Sequence, residues 1–421
     1  MTDRIAIIGS GIAGLTTARL LHPHHDIHLF EQNDYIGGHT NTEDFTINGQ
    51  TFGVNTGFIV YNDWVYHNFN KLMATLNIQR EPTEMSFSVR DDNTGLEYNG
   101  HNLDSLFAQR RNLFNPRFLG MIKDILRFNK ESQADLASGR LTPDLTLGDY
   151  FKQKKFGKAF IEKYIIPMGA AIWSSGEGDM ADFPALFFVR FFKNHGLLQV
   201  KDRPQWYVLS GGSRSYVEPL IAPFKDRVQL NRGVKRVIRE EGAVQLIFED
   251  GTSERFDQVV FACHSDQALA MLEAPTEDET RILGALPYSD NDVVLHTDES
   301  LLPKRRKAWA AWNYHIPTDP AQAVGLTYNM NILQNFDDAP VTFCVTLNRT
   351  DHIDPDKIIK RFNYAHPVFT RAGIEAQQNY HKIGNKNRTH FCGAYWFNGF
   401  HEDGVNSALR VVEDLGVVPW Q

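Results

Sequence analysis

The chain has 421 residues, 42% hydrophobic and 22% charged, a soluble globular profile too long for one simple core, so two domains interleaved in sequence are expected. Its formal charge of −8, from 43 basic and 51 acidic side chains, comes without a long basic run, so nucleic acid is not expected as a partner. Cys263, Cys344 and Cys392 form no CxxC pair, and no run of 18 apolar residues occurs, so neither a metal site nor a membrane-spanning helix is expected.

In chain order, Arg4 to Ile8 is a short apolar, β-branched run. It begins too soon to leave room for a signal segment, so a cytoplasmic location is expected. Gly9-Ser10-Gly11-Ile12-Ala13-Gly14 follows, and then a helical stretch from Leu15 to Leu21. In this strand–turn–helix unit Gly9 permits the turn, Gly11 admits a diphosphate, and Gly14 lets helix pack on strand. The helix N-terminus, with the amides of Ile12 and Ala13, offers unpaired N–H donors and the positive end of a dipole.

Ile27 to Phe30 forms a second strand that ends in Glu31 and Gln32. Glu31 lies 17 residues after Gly14, where a carboxylate meets the ribose hydroxyls of an adenine dinucleotide. NAD and FAD share this fingerprint. The adjacent glycines of Gly37-Gly38-His39-Thr40-Asn41 let a second backbone segment close over the diphosphate, which favours FAD, with His39 at the diphosphate or ribityl region.

Residues from about Tyr66 to Val200 read as mostly helical. Within them Ile165 to Leu198 is rich in aromatics, including Trp173 and the run Phe187-Phe188-Val189-Arg190-Phe191-Phe192-Lys193. That run suits a buried core, a substrate channel, or an interfacial face with Arg190 and Lys193 at headgroup level. Ser210-Gly211-Gly212-Ser213 then precedes a helical segment from Tyr216 to Ala222. Alternating runs between Asp292 and Asn348 suit a sheet over the reactive end of the cofactor. By residue type His264, His296, His315 and His401 are candidate proton carriers; His296 and His401 are carried forward as candidate catalytic residues.

The glycine turn, the acid and the Gly-Gly pair resemble the FAD-dependent amine oxidase and phytoene-desaturase-like superfamily. So do Gly233-Val234-Lys235-Arg236-Val237 with its following hairpin, and Phe391-Cys392-Gly393-Ala394 leading to Gly404 and a helix from about Val405 to Leu415. The resemblance implies an α/β fold in which a Rossmann-type FAD-binding domain, a parallel sheet with helices and a β-meander, is interleaved with an α+β substrate domain. The FAD domain would comprise residues 1–65, 205–285 and 386–421, and the substrate domain 66–204 and 286–385. It further implies that Val234 meets adenine, that Gly393, Gly404 and Val405 serve the flavin, and that FAD is noncovalent, since Cys392 takes a small apolar position.

His39-Thr40-Asn41 and the segment Phe52 to Phe58 are more narrowly similar to a bacterial group of predicted NAD/FAD-binding proteins, which adds Thr40, Gly57 and Phe58 to the cofactor set. Some members of that group are encoded beside cyclopropane-fatty-acid-synthase-like methyltransferases, which implies a methyltransferase partner, a lipid substrate and peripheral contact with the inner face of the membrane. The active-site lysine of amine oxidases is absent; Val293 lies nearest its place. Trp173, Trp396 and Phe400 are the expected substrate-pocket aromatics. The expected activity is hydride abstraction from an acyl chain, with flavin amine oxidation, or FAD and lipid binding without turnover, as alternatives.

Overall fold

The computed structural model describes residues 2–173, 177–318 and 325–420. Arg4–Ile8 runs through the middle of a five-stranded parallel sheet, ordered Val228–Gln229, Asp26–Phe30, Arg4–Ile8, Gln258–Phe261, Thr389–Phe391. The inner strands are apolar almost throughout because both faces are covered. With side chains alternating, Ile5 and Ile7 pack toward the helices Ile12–Leu21 and His401–Asp414. Ala6 and Ile8 pack toward an antiparallel meander of Val234–Glu240, Ala243–Phe248 and Ser253–Phe256.

A second, seven-stranded sheet runs in the order Ile358–Pro367, Tyr288–His296, Cys344–Leu347, Gly325–Asn329, Trp312–Ile316, Phe87–Asp91, Leu96–Asn99. Its neighbours are antiparallel except for Trp312–Ile316 beside Phe87–Asp91. The stretch from 66 to 200 is mostly helical, as expected, and also contributes Arg80–Thr83, Phe87–Asp91 and Leu96–Asn99 as strands. Phe87–Asp91 escapes a hydropathy reading because its buried positions are partly polar: Ser88 Oγ donates to Asn313 Oδ1 at 2.8 Å, and Asp91 pairs with Lys163 at 3.0 Å.

The helices Pro116–Ala137, Leu147–Lys154, Ile166–Trp173 and Ala185–Asn194 enclose an aromatic cluster containing Phe128, Phe151, Phe160 and Phe188. The phenylalanine-rich run resolves mainly as core, with Phe191 also lining a cavity: Phe188, Phe191 and Phe192 are buried, and the exposed flank holds Arg190, Lys193 and Asn194, with no apolar face toward solvent. No described helix is long and apolar enough to cross a membrane.

Candidate active site

One elongated cavity of about 1090 Å³ runs from the glycine turn to the aromatic helices. Gly9 has φ +107°, and a Cβ there would sit 2.8 Å from the Ala262 carbonyl oxygen. A Cβ at Gly14 would overlap the Gly9 carbonyl, so Gly14 serves helix-on-turn packing and does not itself line the cavity. Gly11 differs, since nothing lies within 4 Å of its Cβ position: that space is the cavity, and a side chain would fill a ligand's volume. Ile12 and Ala13 line the same wall at the start of the helix.

Glu31 is buried and lines the cavity. Its Oε2 accepts from the Ser10 amide at 3.0 Å and from Ser10 Oγ at 2.7 Å, and its Oε1 accepts from the Asn33 amide and Nδ2, both at 2.9 Å. Four donors hold the carboxylate in one orientation beside the glycine turn. Gln32 and, from the meander, Val234 also line this end.

The Gly37-Gly38 segment closes from the other side. Gly37 has φ +123°, and a Cβ at Gly38 would lie 3.3 Å from Gly11 Cα, so the two glycine turns touch. His39 follows and lines the cavity, with Nε2 buried and unpartnered among the described residues. Burial and the neighbouring His366 and His264 hold its pKa well below the ordinary value, so the ring is neutral. A Cβ at Gly57 would overlap the His39 carbonyl, which explains the glycine there.

Next along the cavity, the His401 ring stacks on Phe58, and its Nε2 lies 3.0 Å from Thr40 Oγ1, which in turn bonds the Tyr216 hydroxyl. Thr40 is buried behind the wall, so it positions His401 instead of facing a ligand. Burial lowers the His401 pKa to about 3, so this side chain is a neutral hydrogen-bonding group at physiological pH. Beyond it Phe400 stacks on Phe191 at 5.3 Å, and Phe191 meets Trp173 at 4.8 Å; all three line the cavity.

The C-terminal helix begins at His401, four residues before the expected start. Asp403 accepts the Phe400 amide at 2.9 Å, and Glu402 accepts the amides of Asn68 and Phe69 at 2.9 and 2.8 Å, so the acidic pair forms the first turn. The amides without an intrahelical acceptor are those of His401, Glu402 and Asp403, while the Gly404 amide bonds the Phe400 carbonyl at 3.1 Å. Gly404 and Val405 are thereby corrected as flavin-facing residues. Gly404 admits Ile12, whose Cγ2 would lie 2.7 Å from a Cβ, and Val405 is core. Gly393 does line the cavity, its amide donating to Ser407 Oγ at 2.8 Å.

Two more expectations are corrected. Trp396 is not a pocket residue: the short turn Ala394–Trp396 directs it into the core, edge-on to Tyr380 at 5.0 Å with the Arg410 guanidinium 5.3 Å from its ring. His296 is fully buried outside the cavity. Its Nδ1 accepts the Asp298 amide at 3.0 Å, which leaves Nε2–H to donate to Thr346 Oγ1 at 2.7 Å, a structural role. His315 is tied to Asp92 at 2.8 Å, whereas His264 lines the cavity, stacked on Tyr288 at 4.0 Å.

The sequence reading missed Tyr364 and His366, which line the cavity beside His39 with ring centroids 4.9 and 5.4 Å from it. Phe362, Tyr364 and His366 alternate along Ile358–Pro367, a period-two signal that marks one face of a strand.

A parallel sheet, a glycine turn with an anchored acid, and a second glycine segment closing one long cavity define a dinucleotide-binding flavoprotein. The family model for flavin containing amine oxidoreductases matches residues 12–331, and the chain belongs to that family. It is a FAD-dependent oxidoreductase with an amine-oxidase-like fold. Among solved structures, it is similar to a CLA-producing fatty acid isomerase from P. acnes (16% identity, 98% of each chain covered, TM-score 0.68). Cyclohexylamine oxidase from Brevibacterium oxydans IH-35A matches at 16% identity over 99% of this chain and 100% of its own, with TM-score 0.68. Wild-type putrescine oxidase bound to putrescine matches at 14% identity over 99% of each chain, with TM-score 0.66. No curated protein matches the chain significantly.

Proposed function

We propose that the protein dehydrogenates an apolar substrate of the acyl-chain class. The observation that carries this reading is the lining of the cavity's far end by Tyr98, Met168, Ile172, Trp173, Phe191 and Phe400. The carboxylates that line the cavity, Glu31, Glu249, Asp266 and Asp290, lie among the glycine turn, the meander and the His264–Tyr288 pair. Among the described residues, no acid stands in the aromatic end to pair with an ammonium group. The same fold serves a fatty acid isomerase as well as amine oxidases.

The bound flavin supplies the hydride acceptor. The chain contributes an aromatic chamber at the cavity's far end and the positive end of a 14-residue helix whose free amides begin at His401. FAD is held noncovalently in this reading. Cys392 lies outside the cavity, its sulfur 3.7 Å from Thr17 Oγ1 and its thiol pushed up to about 12 by burial, so no reactive thiolate is presented.

The test is anaerobic bleaching of the purified flavoprotein by fatty acids and phospholipids, set against amines. Bleaching by the lipids alone supports acyl-chain dehydrogenation. Bleaching by amines alone replaces it with amine oxidation, and a flavin that neither reduces points to binding without turnover.

A further inference from the structure

The rim of the cavity at Gly100 and His101 leads directly into a surface of unusual composition. Leu103, two residues past the rim, is 75% exposed, and Phe114, at the end of the short helix Arg110–Phe114, is 87% exposed. Leu113 is exposed beside it. The following helix, Pro116–Ala137, turns Phe118, Met121 and Phe128 into the core, but presents Leu119 and Leu126 to solvent at helical spacing with Lys123 between them.

Cations are interleaved with these apolar side chains. Arg110, Arg111, Arg117 and Lys123 are all exposed, in a chain whose net charge is −8. Arg111 donates to the Gly95 carbonyl at 3.0 Å; of the acids in this segment, Asp104 is shared by Arg110 and Lys307 and Asp124 pairs with Arg127 at 3.5 Å. Apolar tips flanked by a basic ring match the interface of an anionic bilayer, where apolar groups enter the acyl boundary and cations remain among the headgroups.

We propose that this face, from Leu103 through Leu126, docks the protein on an anionic phospholipid surface, with the His101 rim of the cavity turned toward the headgroups. Apolar substrates then enter from the lipid phase without crossing water. The docking stands apart from the acyl-chain reading, because binding to lipid is measured without turnover.

The experiment is co-sedimentation of the flavin-loaded protein with vesicles of phosphatidylcholine plus phosphatidylglycerol, and with vesicles of phosphatidylcholine alone. Binding is expected to the mixed vesicles and to weaken as salt rises. Arg111→Ala with Arg117→Ala should weaken it about 30-fold, and Phe114→Asp with Leu113→Asp at least about tenfold, both with flavin absorbance unchanged. Wild-type protein that stays in the supernatant, or variants that sediment as wild type does, would overturn the proposal. A solution dimer dissolved by Phe114→Asp, with no vesicle binding, would assign the face to a second copy of the chain.

Discussion

The imidazole of His401 lies on the ring of Phe58 with centroids 3.6 Å apart and planes 12° from parallel. Stacking and the Thr40 hydrogen bond together fix the ring at the point where the dinucleotide end of the cavity meets its aromatic end. If His401 positions and does not carry a proton, His401→Phe keeps the stack and loses one hydrogen bond. Stopped-flow flavin reduction should then slow by less than about tenfold, whereas loss of a general base costs about 10²–10⁴-fold. A slowing in that larger range would restore the acid–base role.

Gly11 and Gly404 separate binding from folding. Gly11→Leu extends into open cavity, so the variant should keep its circular dichroism and purify without flavin absorbance. Gly404→Leu drives into Ile12 and should lower the melting temperature whether or not flavin is added. A yellow Gly11→Leu protein would show that the cofactor lies elsewhere.

Acid should destabilise the protein through its buried histidines. Burial lowers His195, His296, His366 and His390 to about 4, so between about 6.5 and 4 the unfolded chain takes up protons that the folded chain refuses. The histidines' contribution is therefore fully present above about pH 6.5 and is lost as pH drops through that window. His296→Gln should melt lower than wild type at pH 7 yet lose less between pH 7 and 5; parallel curves would refute the assignment.

Asp403 acts in the opposite direction. Burial raises its carboxyl to about 7, so between about 4 and 7 the folded state retains a proton that the unfolded state has released, and stability falls as pH rises. Asp403→Asn keeps an acceptor for the Phe400 amide without the buried charge. Its melting temperature relative to wild type should climb from pH 5 to pH 8 in paired thermal scans.

Phe400→Leu tests the aromatic end. Loss of the Phe191 stack should raise KM for an acyl substrate about tenfold with kcat nearly unchanged, since the contact serves substrate and transition state alike. An equal fall in kcat would place Phe400 at the reacting centre.

The first forty residues are legible because their signals are local: a strand, a turn that demands glycine, a helix and an acid follow within one βαβ unit, and the structure places Gly9, Gly11 and Glu31 around one cavity wall. The C-terminal motif is half legible. Glu402 and Asp403 read equally well as residues before a helix or as its first turn, and the choice is made by the amides of Asn68 and Phe69, more than 300 residues distant. Trp396 and His296 are misplaced for a related reason. An aromatic ring or an imidazole has the same local pattern whether it faces a cavity or a core, and only Tyr380, or Thr346 and Asp298, reveals which.

The parallel sheet that carries the glycine turn has consequences for biosynthesis. Its edge strand Thr389–Phe391 and the covering helix His401–Asp414 arrive nearly 400 residues after Arg4–Ile8. Until those segments are made the nascent chain holds a dinucleotide motif whose sheet is incomplete and whose helix lacks its cover, with apolar Ile5, Ile7 and Leu15 unshielded. Completion of the sheet, and of the cavity wall that Gly393 and His401 supply, therefore waits on segments made long after the glycine turn.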